Sequence, residues 1–243
     1  MNVRWTPTAL LDLAAALAAG LLAQPAKADE SKQQLLVDKA RIALDEFMTH
    51  KDMSWLREHL REAKAIVIIP EYWQGGFIGG GAGGAGILLA RDEKTGEWSQ
   101  PVFYTLAGGH VGLLIGGEKS AVIMIVRSKR GLLAFYKTDF KVGGDASAAA
   151  GPKGIGVKET VGADIVSFSR SRGLYAGISF EGAVVKSDSN AIRDYYGKDV
   201  TARDIIVNRA VSNPGSAELR DELRKTTAEE PVAQSPNGRN LSF

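Results

Sequence analysis

Apolar residues fall along this chain in two rhythms, and the change from one to the other organises it. From Ser31 to about Thr49, Leu35, Val37, Ala40, Ile42, Leu44 and Phe47 recur at helical spacing over a broad face, and Ser31 with Gln34 reads as a capping box. Met53 to Ala63 predicts a second, shorter helix, with Asp52 as N-cap and Trp55, Leu56 and Leu60 turned inward. Ala65 to Ile69 is an unbroken apolar run stopped by Pro70, which predicts a fully buried strand.

Between about 75 and 186 the rhythm shortens to apolar or alternating segments broken by glycine. Strands are predicted over Ile87–Arg91, Val102–Leu106, Val111–Ile115, Ala121–Arg127, Leu132–Tyr136, Ile165–Ser169 and Leu174–Val185, with turns at DEKTGEW, GGEKS and RSKRG. After Lys186 helical spacing returns: Ser189–Tyr196 ended by Gly197, a capping box of Thr201 and Asp204 opening a helix to Ala210, and Ser216–Lys225. Helices, then strands, then helices predict an α+β fold: a mostly antiparallel, glycine-rich or barrel-like sheet flanked by N-terminal and C-terminal helices. One domain is expected over residues 29–225, followed by a disordered tail over 226–243 that lacks periodicity.

The segment GGFIGGGAGGAGILLA, Gly75 to Ala90, holds eight glycines in its first twelve positions. Gly79, Gly81 and Gly84 satisfy G-x-G-x-x-G, but a dinucleotide site needs a helix directly afterwards, and Ile87–Arg91 runs at once into DEKTG. Glycines four apart would let membrane helices approach closely. Each, however, costs a helix about 1 kcal/mol relative to alanine. The remaining reading is a strand whose glycines permit bends, bulges and close backbone approach. An apolar loop of Phe77, Ile78, Gly79 and Gly80 is compatible with that reading and can dip into a lipid surface.

Composition narrows the chemistry. The 243 residues contain no cysteine, which excludes disulfides, thiolate zinc sites, a cysteine nucleophile and a lipid-modified N-terminal cysteine. Arg4, an apolar stretch from Ala9 to Ala23 and the A-x-A sequence Ala26-Lys27-Ala28 predict a secretion signal over 1–28, hence a periplasmic or secreted protein. Without those residues, 28 basic and 27 acidic side chains remain. A nearly neutral chain with no reading motif argues against nucleic acid. The charge is unevenly placed: residues 127–172 carry nine basic and four acidic side chains.

Catalytic patterns are sparse. His50 and His59 lie nine apart, which is no metal-ligand spacing. His110, in LAGGHVG, is a possible base or a structural residue; Ser179 lacks the strand-to-helix elbow of a hydrolase nucleophile. No catalytic residue, metal or cofactor is expected. The clusters Arg127, Lys129, Arg130 and Arg170, Arg172 fall at strand ends beside glycine, where their head groups can project together towards a phosphorylated or anionic lipid head group. Two solvated turns are the plainer alternative.

The linked blocks AKAIVIIPEYWQGGFIGGGAGGAGILLARD, WSQPVFYTLAGGHVGLLIGG, KVGGDASAAAGPKG, ADIVSFSRSRGLYAGISFEGAVV and YYGKDVTARDII together resemble the SYLF domain family over about residues 35–210. The resemblance implies binding of membrane lipid, anionic phospholipids above all, and no enzymatic activity. Some eukaryotic members also bind actin, which an exported bacterial protein is not expected to meet; phosphatidylglycerol, cardiolipin or phosphatidic acid are the implied targets, bound peripherally. Two rival expectations remain: an envelope structural or stress protein that recognises another protein or the cell wall, and a hydrolase using His110.

Overall fold

The computed structural model describes residues 31–76, 79–111, 116–152 and 162–228. The predicted signal, Phe77, Ile78 and the tail beyond Ala228 lie outside the described residues. Helix α1, Lys32–Thr49, is followed by a 3₁₀ turn, Lys51–Met53, and by α2, Ser54–Leu60. Strands β1, Ala65–Gly76, β2, Gly79–Ala90, β3, Val102–Val111, and β4, Gly116–Val126, come next, then α3, Lys129–Ala134. The short strands β5, Asp139–Lys141, and β6, Ala148–Ala150, precede β7, Ile165–Ser171, β8, Leu174–Gly177, and β9, Val184–Ser187. Helices α4, Ser189–Tyr196, α5, Ala202–Ile206, and α6, Ala217–Thr227, complete the chain, with a 3₁₀ turn at Pro214–Ser216 before α6.

The predicted α+β architecture is present as a curled half-barrel sheet in the order β5-β9-β3-β2-β1-β4-β7-β6, with β8 also on β7. Every pairing is antiparallel except β6 with β7. Along the middle strands alternation sorts side chains onto two covered faces. On one, Val67, Ile69, Tyr104, Met124 and Val185 surround a small apolar void with Phe135, the C-cap of α3. The other is covered by α1 and α2, whose buried residues include Val37, Ala40, Leu44, Phe47, Trp55 and Leu56. Phe47 meets Tyr175 edge-on with ring centres 5.1 Å apart, and Trp55 meets Phe168 at 5.6 Å. Trp98 is buried, and its Nε1–H donates to Thr227 Oγ1 at 3.3 Å, which ties α6 to the β2–β3 connection.

Several expectations need correction. Pro70 does not end its strand. β1 continues to Gly76 because the register slips between Ile69 and Tyr72, placing the proline in a bulge where its missing N–H does not break the ladder. Leu132 to Ala134 of the predicted strand Leu132–Tyr136 belong instead to α3, whose N-cap Ser128 accepts from Gly131 N, and Phe135 and Tyr136 to the turn that ends it; a short apolar run fits a buried helix equally well. Leu174–Val185 is two strands, not one, since residues 178–183 leave the sheet and Gly182 has φ +85°. Asp52 sits inside the 3₁₀ turn capped by His50, and Met53 is the N-cap of α2. The helix from Thr201 stops at Ile206, short of Ala210, and α6 carries Thr226 and Thr227 that were assigned to the tail.

The capping box of Thr201 and Asp204 forms with both reciprocal bonds. Thr201→Ala is therefore expected to cost about 1 kcal/mol, read as a lower urea midpoint with unchanged slope.

Candidate functional site

The glycine run is extended throughout its described length, Gly75 and Gly76 ending β1 and Gly79–Ala90 forming β2. The register of β1 to β4 lines up Gly117, Gly75, Gly81 and Gly109 as one row across four strands. All four are exposed, and a Cβ at Gly75 or Gly81 would meet nothing within 4 Å. The row is about 14 Å wide, three strand spacings. Nearer the core the same strand needs glycine for the opposite reason: a Cβ at Gly84 would lie 2.5 Å from Glu71 O, and one at Gly86 2.6 Å from Ile69 Cγ1. Both flank the turn of β1 around Pro70. No helix follows Gly86, so the amide cradle required for a dinucleotide is replaced by sheet. Gly79 and Gly80 of the expected lipid-contact loop open β2, Gly80 facing Gly76 and His110 across the ladder.

The two basic clusters do not project together. Arg170 is opposite Ala121 near one end of the β4–β7 ladder, whereas Arg127 follows Val126, paired with Ile165, at the other. Five rungs between these pairs separate the clusters by about 17 Å. Arg130 is committed to the buried carboxylate of Asp164, to which its Nε and Nη2 donate at 2.9 and 2.5 Å. Ser128 Oγ also donates to Asp164, and Ser147 donates from both N and Oγ at 2.8 Å. Burial alone would raise the Asp164 carboxyl, but hydrogen bonds from Arg130, Ser128 and Ser147 outweigh it and hold the group well below the usual carboxylate range. Arg127 lies over the Trp55 ring, 5.8 Å from its centre, and Lys129 begins α3. The cluster at this end joins α3 to the sheet.

At the other end the structure gathers cations that the sequence scatters. A groove of about 210 Å³ runs between α1 and strands β1, β4 and β7. Lys39, Lys119 and Arg170 line it together with Glu46 and Glu71. Lys39 Nζ and Lys119 Nζ both donate to one oxygen, Glu71 Oε1, at 3.0 and 2.5 Å. Hydrogen bonds from Lys119 and then Lys39 hold the Glu71 carboxyl below its ordinary range. Arg170 pairs with Glu46, while its Nε is buried with no hydrogen-bond partner among the described residues. Ile42, Ala43, Pro70 and Ala121 supply the apolar wall.

Large apolar side chains crowd the rim of this end. Ile42 is 52% exposed, Trp73 55% and Leu174 75%. Lys119 Nζ stands 5.4 Å from the centre of the Trp73 ring. Arg172 and Gly173 make the two-residue turn between β7 and β8, Arg172 with φ +47°. That left-handed conformation costs a side-chain-bearing residue about 1–2 kcal/mol. Arg172 and Leu174 thus form an exposed tip at the level of Trp73.

The three residues Lys39, Glu71 and Lys119 come from α1, β1 and β4, and no local motif links them. Leu35 and Ile42, which the spacing places with the apolar face of α1, are instead exposed, so the buried stripe is narrower than the sequence predicts. His50 stacks on Tyr175 with ring centres 3.9 Å apart, and His59 stacks on Trp55 at 3.8 Å, so both histidines are tied into aromatic packing. The His110 side chain lies outside the described residues. Ser179 falls in the 178–183 connection between β8 and β9. Among the described residues no three His, Asp or Glu side chains are grouped to hold a metal ion, and no helix is long and apolar enough to cross a membrane.

Comparison with known families decides the kinship. The Ysc84 family model, described as Las17-binding protein actin regulator, matches residues 107–226, from the end of β3 to α6. The chain belongs to the SYLF, or Ysc84-like, family. Protein YSC84 of Saccharomyces cerevisiae is 30% identical over 167 residues, covering 66% of this chain and 35% of that protein. LAS seventeen-binding protein 3 of Saccharomyces cerevisiae is 31% identical over 157 residues, 62% of this chain and 34% of that one. The SH3 domain-containing YSC84-like protein 1 of Rattus norvegicus is 34% identical over 164 residues, 65% of this chain and 47% of that one. The SYLF chain therefore spans less than half the length of these relatives. One of the three is named for binding and one for an SH3 domain, and none for a reaction.

Proposed function

We propose that this SYLF chain is a non-enzymatic module that docks reversibly on anionic phospholipid surfaces, exported through residues 1–28 and acting at the bacterial envelope. One observation carries the reading: Lys39, Lys119, Arg170 and Arg172 stand at the same end of the sheet as the exposed Ile42, Trp73 and Leu174. Cations beside half-exposed aromatic and aliphatic side chains suit the boundary between head groups and acyl chains. Arg172 keeps a strained backbone at the tip, which favours a functional reason for it. Of the five basic residues expected to meet head groups, Arg170 and Arg172 belong to this end. Arg127, Lys129 and Arg130 sit at the far end, where Arg130 is occupied by Asp164.

Vesicle sedimentation tests the reading. Phosphatidylcholine vesicles doped with phosphatidylglycerol are expected to bind the protein, and undoped vesicles far less. Each basic residue at an anionic surface is worth about 1 kcal/mol, so Lys119→Glu with Arg172→Glu is expected to weaken binding about thirtyfold or more. Arg127→Glu with Lys129→Glu should change it little. Equal binding to both vesicle types, or greater loss from the second pair, would remove the proposal.

A further inference from the structure

We infer that the groove between α1 and strands β1, β4 and β7 is a phosphate site, and that Glu71 fills it from within until a phosphate takes its place. For a lipid phosphate the inference rests on the membrane reading above; it adds where the head group sits and what it displaces.

Three features carry it. Two ammonium groups converge on a single oxygen of Glu71, so they are no farther apart than the sum of 3.0 and 2.5 Å. Like charges that close are stable only around an anion, and Glu71, beside the bulge in the middle of β1, is the anion at hand. Second, Arg170 reaches the same groove with its Nε–H unused, a buried donor that costs free energy while it lacks an acceptor. A carboxylate offers two oxygens; a phosphate monoester offers three around a tetrahedron, enough to face Lys39, Lys119 and Arg170 at once. Third, the apolar wall of Ile42, Ala43 and Pro70 suits the carbon stem of an ester. At about 210 Å³ the groove holds several times the volume of a water molecule, which leaves room for the phosphate and the first atoms of that stem. Three cations face two carboxylates, so the groove carries a single net positive charge while Glu71 is in place.

Glu71→Gln removes the internal competitor and keeps the side chain's shape. Its pairs with lysine are partly exposed, so the fold is expected to survive the change. Binding to phosphatidylcholine vesicles doped with phosphatidic acid is expected to tighten about fivefold over the unmodified protein, one unit of charge at an anionic surface. Adding Lys39→Met and Lys119→Met should abolish the gain. Inorganic phosphate, added to the vesicle-free protein in a thermal melt, separates the sources: a raised melting temperature that is larger in Glu71→Gln assigns the groove to phosphate from solution as well as from lipid. If the unmodified protein binds anionic vesicles and Glu71→Gln binds them equally or more weakly, the groove inference falls while the membrane reading stands. If no vesicle is bound but phosphate stabilises Glu71→Gln, the membrane reading falls and the groove stands. Silence in both arms overturns both.

Discussion

Alanine at Gly86 is expected to destabilise the protein by about 3 kcal/mol, while alanine at Gly81, five positions earlier in the same strand, is expected to change stability by less than about 0.5 kcal/mol. The new methyl at Gly86 would stand 2.6 Å from Ile69 Cγ1 and 2.8 Å from the Ile68 carbonyl oxygen. Neither neighbour can yield. Ile68 is paired on both sides, with Ile87 and with Ile123, and both it and Ile69 are buried. At Gly81 the methyl would enter open space. Urea denaturation of the two variants side by side checks the contrast. Equal losses at both positions would show that the strand tolerates no side chain for a reason other than packing against the bulge at Pro70.

The second large effect is expected at Asp164. Its carboxylate takes bonds from Arg130, Ser128 and Ser147, including the Ser147 backbone N–H. Asp164→Ala leaves those donors without their acceptor and is expected to cost about 3 kcal/mol, given that bonds to a charged group are worth about 1.5–3 kcal/mol each and are not additive. The pH dependence follows from the sign of the shift. The folded carboxyl titrates below its ordinary value, so its contribution is complete above the unfolded value of about 3.9 and is lost as pH falls from there towards the folded value. Asp164→Asn should therefore lower stability at pH 7, and the gap to the unmodified protein should narrow below about pH 4. Chemical denaturation at both pH values measures this; a gap that widens in acid would contradict the assignment.

Local chemistry was legible wherever it acts over a few residues. Thr201 and Asp204 announce their helix because a hydroxyl and a carboxylate three apart satisfy each other's backbone donors, and Gly197 ends α4 at φ +66° as an αL cap should. The glycine run could be read as sheet because the alternative needed a helix for which the chain left no room. What failed was decided at longer range. Pro70 breaks a regular strand, but a bulge created by two neighbouring strands accommodates it. The apolar residues of Leu132–Tyr136 fit a strand as readily as a helix, and only the Ser128 cap and the Phe135 contacts with Tyr104 and Phe140 settle the matter. The arginines of RSKRG and RSRG look like one patch in one dimension. The antiparallel pairing of β4 with β7 sends them to opposite ends. Conversely, Lys39 and Lys119 are eighty residues apart and meet at Glu71 because α1 lies across β1 where β4 is its neighbour.

The row of Gly117, Gly75, Gly81 and Gly109 bears on how the sheet assembles. A stretch without side chains carries no record of its own alignment, since sliding it by one residue would neither bury nor expose anything. Alignment has to come from the opposite half, where Ile66 meets Leu89 and Ile125 and fixes the count. The bare half then closes like the free end of a zip, positioned by teeth it does not possess, and an added or deleted glycine there would shift the tips while the apolar half stayed matched.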